Sequence, residues 1–197
     1  MIDFLLQLDI WMLLRLNAGA ANSFFDWLMP IATELRNWWP LVIGGLLAMA
    51  IWGGGKGRVA ILIAIVLFTL TDQFASTVIK NLVERPRPCH EVEGVRVLYR
   101  CGKTFSFPSG HAMTSMAAAI FFGLMFRRLL WLLIAASVLV SYSRVYLGVH
   151  YPFDLLAGWV FGGGLAVLAV LVYHRWAQPF MNRFRLFRDN GIEAGST

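Results

Sequence analysis

Five stretches of this chain are too apolar to be the half-buried elements of an ordinary soluble domain: 38–52, 59–79, 112–126, 129–147 and 155–173. A helix that crosses the hydrocarbon core needs about 20 apolar residues, because each residue rises about 1.5 Å. No water is present there to satisfy an open backbone, so the helix must satisfy its own. Runs of this kind predict an all-α, polytopic membrane helix bundle with five transmembrane helices. The first and third runs are short and must borrow flanking residues or sit where the bilayer is thin. Composition agrees, with 58% of the 197 residues hydrophobic and 14% charged, against about 25% charged in a soluble domain.

The first 37 residues are patterned differently. Helical segments at 3–16 and 23–32 flank a break at Asn17-Ala18-Gly19-Ala20-Ala21-Asn22. Both are rich in apolar and aromatic residues and too short to span alone, so two interfacial helices are expected. A sixth span is the alternative. The organisation read from the sequence is a single membrane-embedded domain over 1–177. Its interfacial part is 1–37 and its bundle is 38–173, with a polar cytoplasmic tail over 178–197.

The formal net charge is +6. No long soluble basic segment exists to hold nucleic acid, and anionic lipid with the positive-inside bias accounts for the charge more simply. Short basic connections at Lys56 and Arg58 and at Arg127-Arg128, with the arginine-bearing tail, mark the cytoplasmic side. The loop 81–107 and the turn 148–154 then face outward. The raw Lys/Arg count, nine outside against eight inside, does not decide this. Acidic residues do distinguish the sides, since they accompany the outer basic residues and are sparse among the inner ones. Cys89 and Cys101 share the long loop. They pair if it meets an oxidising compartment and otherwise remain two free thiols.

Polar residues at the ends of apolar helices are costly, and so are functional candidates. Three clusters qualify: Lys80 through Arg87-Pro88; Pro108-Ser109-Gly110-His111; and Ser143-Arg144 followed by His150 and Asp154. Helix topology brings all three to one membrane face. Lys80, Arg87 and Arg144 supply cations, and arginine's planar fork suits phosphate oxygens. Ser109 is a candidate N-cap, Gly110 permits close backbone approach, and the helix N-terminus behind them attracts anions. His150 has Asp154 four residues on, a spacing that lets a carboxylate hold one ring nitrogen and leave the other free to attack. His111 has no local carboxylate and suits the acid role.

These clusters resemble the three signature motifs of the type-2 phosphatidic acid phosphatase superfamily of lipid phosphate phosphatases. The pattern is Lys, six residues, Arg-Pro; then Pro-Ser-Gly-His; then Ser-Arg, five residues, His, three residues, Asp. All eleven specified positions match: Lys80, Arg87, Pro88, Pro108, Ser109, Gly110, His111, Ser143, Arg144, His150 and Asp154. The resemblance covers about 38–173, and the opening residues also look like those of small bacterial members. It implies that His150 is a nucleophile forming a phosphohistidine, oriented by Asp154. His111 would protonate the leaving oxygen and then activate water. Lys80, Arg87, Ser109, Gly110 and Arg144 would bind phosphate, with no metal and no cofactor.

The expectation is therefore a metal-independent lipid phosphatase of a bacterial inner membrane, its site facing the periplasm or exterior. Its partners would be the bilayer and a phosphorylated lipid, with undecaprenyl pyrophosphate the first choice. Phosphatidylglycerol phosphate, phosphatidic acid and the 1-phosphate of lipid A stay open. So do lipid-to-lipid phosphotransfer, a scaffold with a dead site, and the oligomeric state. Bland readings cover the remainder. Glu84 and Arg85 form a surface pair worth little, and the glycines from Gly158 to Gly164 let helices approach closely or leave a groove for a lipid tail.

Overall fold

The apolar runs do become helices. The computed structural model describes residues 2–183, which contain helices and loops and no strand. The chain opens with α1 (Ile2–Asn17) and α2 (Ser23–Thr33). Asn22 caps α2, its side-chain oxygen accepting from the Phe25 N–H at 2.9 Å. Next come α3 (Leu35–Trp52) and α4 (Gly54–Gln73), the latter continuing through a π-helical stretch, Phe74–Ile79, into α5 (Lys80–Val83). A long loop containing α6 (Pro88–Glu91) leads to α7 (Gly110–Met125), α8 (Leu130–Tyr146) and α9 (Pro152–Val172). A second π-helical stretch, Tyr173–Ala177, joins α9 to α10 (Gln178–Arg183). Of the expected tail, 178–197, residues 178–183 form α10 and the remainder lies outside the described residues.

The expectation of five spans, or six, is corrected. Among the described residues three helical stretches are long and apolar enough to cross a membrane: Gly54–Glu91, Arg127–Tyr146 and Pro152–Arg183. The run at 38–52 becomes α3, whose first turns carry Arg36, Asn37 and Pro40 and dilute its apolar character. The run at 112–126 becomes α7, which stops after 16 residues. The flanks it was to borrow are polar: Ser109 and His111 at one end, Arg127 and Arg128 at the other. Helices α1 and α2, of 16 and 11 residues, supply no sixth span. The molecule is an all-α polytopic membrane bundle with three such stretches.

Helix α7 sits at the centre, packed on α4, α8 and α9. Ala60, Ala64 and Leu67 of α4 meet Ala117, Phe121 and Met125 of α7 and Ala166 and Val170 of α9. Lipid offers helices no hydrophobic reason to associate, so close van der Waals fit has to hold them. Gly158 and Gly162 provide it. A Cβ on Gly158 would lie 2.9 Å from the Ser109 carbonyl oxygen, and one on Gly162 2.1 Å from that of Met113. Helix α9 thus presses its backbone against the first turns of α7, as the close-approach reading anticipated.

The N-terminal helices pack on one end of the bundle, against α8 and the start of α9. Asn17 Nδ2 donates to the carbonyls of Tyr146 (2.6 Å) and Arg96 (2.9 Å), and its Oδ1 accepts from the Arg96 N–H at 2.7 Å. Asp26 of α2 accepts from the Tyr146 hydroxyl at 2.5 Å and pairs with Arg96 at 2.9 Å.

Candidate active site

Motif residues gather at the end of the bundle that α1 and α2 clamp. Lys80 is carried there by the π-helical stretch, a distortion that often marks functional positions. Just before it, the hydroxyls of Thr71 and Ser76 donate to carbonyls four residues back, each at 2.7 Å, a local bond that loosens helices. The chain leaves α5 at Glu84, in the left-handed region with φ of 49°. It then runs through Pro86 to Arg87, which caps α6.

Arg87 is buried, 7% exposed, and most of its donors are engaged. Nε donates to the Thr104 carbonyl (2.7 Å), Nη2 to the Thr104 hydroxyl (3.0 Å) and Nη1 to the Val149 carbonyl (3.0 Å). Nη1 also lies 3.1 Å from His150 Nε2. A guanidinium only donates, so Nε2 is the accepting nitrogen and the ring proton sits on Nδ1. That proton points to Asp154 Oδ2 at 3.3 Å. The same Oδ2 accepts the Tyr151 N–H at 2.9 Å, which fixes the carboxylate in the first turn of α9 behind Pro152. Burial drives the His150 imidazole down from 6.5 to about 4, against the opposing pull of Asp154. The ring is neutral at neutral pH, with its lone pair on Nε2.

Ser109 caps α7, its hydroxyl oxygen accepting from the Ala112 N–H at 3.4 Å. Its own N–H donates to the Asp154 carbonyl at 3.0 Å, joining the second motif to the third. Gly110 faces open space, with nothing within 4 Å of where a Cβ would stand. His111, one residue on, is exposed and makes no hydrogen bond among the described residues. It lies within electrostatic reach of Arg144, His150, Lys80 and Arg87. Lys80 is likewise within reach of Arg87, Asp154 and Arg144. Arg144, 7% exposed, donates through Nη1 to Thr33 Oγ1 at 2.7 Å and stands 5.4 Å over the Tyr99 ring. Its buried Nε has no partner. Among the described residues neither Arg87 nor Arg144 forms an ion pair with a carboxylate. Two buried guanidiniums with no carboxylate bound to them make a site for an anion, since buried charge without a direct partner is costly.

Two residues of this assembly escape a reading of the sequence. Arg85 is no surface partner of Glu84. Its Nη1 donates to Asp154 Oδ1 at 2.9 Å and its Nη2 to Asp9 Oδ2 at 2.7 Å. Its Cζ lies 3.7 Å from the centre of the Tyr151 ring. Asp9, fully buried on α1, also accepts the Phe153 N–H at 2.9 Å. Burial raises the Asp9 carboxyl above its ordinary value, while the Phe153 amide and Arg85 pull it back. The one hint in the sequence was an acid amid the apolar residues in the middle of α1.

Cys89 and Cys101 are joined by a disulfide across the long loop. His90 stands beside it, Nε2 3.2 Å from Cys101 Sγ. These three residues form the one grouping of potential metal ligands among the described residues, and both thiols are used in the disulfide. None of the motif residues belongs to it.

An all-helical membrane protein with this anion-binding, histidine-centred site falls in the class of membrane phosphatases. The profile of the PAP2 superfamily matches residues 58–178, and the chain belongs to that superfamily. A lipid A 4'-phosphatase of Bacteroides thetaiotaomicron is 34% identical over 184 residues, covering 89% of this chain and 81% of the relative. The putative undecaprenyl-diphosphatase YbjG of Escherichia coli is 30% identical over 161 residues, covering 80% and 77%. Among solved structures, a transmembrane PAP2-type phosphatidylglycerolphosphate phosphatase from Bacillus subtilis superposes with a TM-score of 0.66. It is 24% identical and each chain is covered to 87%, a likeness of fold.

Proposed function

We propose that the protein hydrolyses a phosphate or pyrophosphate on a membrane lipid through a phosphohistidine on His150. The lone pair of Nε2 attacks phosphorus, and the bond from phosphorus to the lipid-side oxygen breaks. That oxygen takes a proton from His111. Water then gives a proton back to His111 and attacks the phosphohistidine, the P–N bond breaks, and orthophosphate leaves. Asp154 keeps the Nδ1 proton in place through both steps. Lys80, Arg87, Arg144, Ser109 and the Gly110 N–H neutralise the phosphoryl oxygens, the part that metal ions play in other phosphoryl-transfer sites. The observation that carries the reading is the pair of buried arginines that, among the described residues, bind no carboxylate, one of them donating to the lone-pair nitrogen of the His150 ring.

The first choice of substrate is undecaprenyl pyrophosphate, at the outward face of a bacterial inner membrane. A second reading, the 4'-phosphate of lipid A, is favoured by the relative that aligns over 89% of the chain. The catalytic unit is residues 1–177, with the N-terminal helices at the membrane interface. Phosphate release from both lipids and from phosphatidylglycerol phosphate, measured on purified protein, tests the proposal. One lipid should be turned over, with EDTA present or absent, and His150→Ala should be inert while remaining folded. Near-normal turnover by His150→Ala would overturn the mechanism, and an absolute need for divalent metal would overturn metal independence.

A further inference from the structure

We propose that Arg85 and Asp9 are positioning residues for the nucleophile, a role that rests on the reading of His150 above. Five side chains form one continuous line: Asp9, Arg85, Asp154, His150, Arg87. Arg85 and Arg87 reach the histidine–carboxylate pair from opposite ends, and this divides their work. Arg87 meets the attacking nitrogen. Arg85, held by two carboxylates, is withheld from the phosphate cradle.

Asp154 explains why such a device is needed. Its side chain is fully buried, and its histidine partner is neutral at rest. Oδ2 is shared by the His150 ring and the Tyr151 N–H, leaving Oδ1 to Arg85. Arg85 is therefore the positive charge that faces this buried carboxylate and holds Oδ2 toward the Nδ1 proton. The carboxylate in turn supplies the negative charge beside the ring when Nε2 carries the phosphoryl group and the ring becomes cationic. Asp9 completes the arrangement by occupying the second Nη of Arg85 and by accepting from Phe153, the residue before Asp154. Helix α1 thereby sets the angle of the turn that bears the orienting carboxylate. The close cation–ring contact with Tyr151 adds a third hold on the guanidinium.

The test measures kcat and KM against pH for Arg85→Ala, Arg85→Lys, Asp9→Ala, Asp9→Asn and the double Ala variant, each checked by thermal unfolding in detergent. Arg85→Ala should lower kcat on the order of a hundredfold, the scale of losing an orienting partner. KM should change little. Arg85→Lys, which keeps the charge, should recover part of kcat. Asp9→Asn, which keeps an acceptor for Phe153, should lose less than Asp9→Ala. The double variant should be no worse than Arg85→Ala alone. A folded Arg85→Ala with wild-type kcat, or a loss confined to KM, would overturn the proposal. His150→Ala run in parallel separates two failures. An inert His150→Ala beside a fully active Arg85→Ala removes the positioning role alone, whereas turnover by His150→Ala removes the nucleophile and this role with it.

Discussion

An imidazole enclosed away from water resists protonation, and that changes the pH range in which His150 can act. An ordinary histidine would be half protonated near 6.5, whereas burial holds this one down to about 4. The unfolded chain binds its proton first as pH falls, so this group's contribution to stability is complete above 6.5. It declines between 6.5 and about 4, as the fold resists a proton that the unfolded chain accepts. In 15N-histidine-labelled protein, the ring resonance that disappears in His150→Ala should titrate below pH 5. A midpoint at 6 or above would contradict the burial argument. The motif residues were legible because their types and spacing are local: His150 and Asp154 lie one helical turn apart, and Ser109 precedes an apolar run. Arg85 and Asp9 were not, because 76 residues separate them and only folding puts α1 beside the Arg-Pro loop. Next to Glu84, Arg85 looked already paired.

Elements meet here through backbone more than through side chains. The α7–α9 contact holds the Ser109 and Asp154 ends of the site together, and Gly162 is its tightest point. Gly162→Ala would drive a methyl to 2.1 Å from the Met113 carbonyl, so the helices must part. Loss of about 1–3 kcal/mol, the usual range for overpacking, is expected, with weakened phosphate release as the site opens. Gly163→Ala, whose nearest neighbours would be 3.9 Å away, should be tolerated. Thermal unfolding in detergent and a turnover assay on both variants check the contrast. Helix positions could be read from apolar runs because burial in lipid leaves that signature. Which helices are long and apolar enough to span could not be read as reliably, because α3 and α7 recruit polar residues at their ends for other purposes. Ser109 and His111, which flank the apolar run, are polar residues of the second motif.

At the scale of the molecule, one end carries everything polar that matters: the three motifs, the disulfide loop and the clamp made by α1 and α2. The proposed orientation puts that end outside the cytoplasm. A reporter made by Lys103→Cys, at an exposed loop position, in a chain lacking Cys89 and Cys101, should react with an impermeant maleimide once the outer membrane is permeabilised. Labelling only after the inner membrane is broken would reverse the orientation and remove outer-leaflet lipids from the substrates. The clamp itself was only partly legible. Two helices were foreseen at the N-terminus, but not that Asn17 and Asp26 fasten them to Arg96 and Tyr146, since those bonds join distant parts of the chain.

The contact between Arg87 and His150 has a further side. A lone pair already hydrogen-bonded to the protein's own guanidinium is withheld from stray electrophiles. A phosphate can draw Arg87 aside because its charged oxygens are better acceptors than a neutral ring nitrogen. A neutral alkylating solute has nothing to exchange. In the proposed mechanism docking and unmasking are then a single event, and the attacking nitrogen stays chemically quiet until an anion arrives.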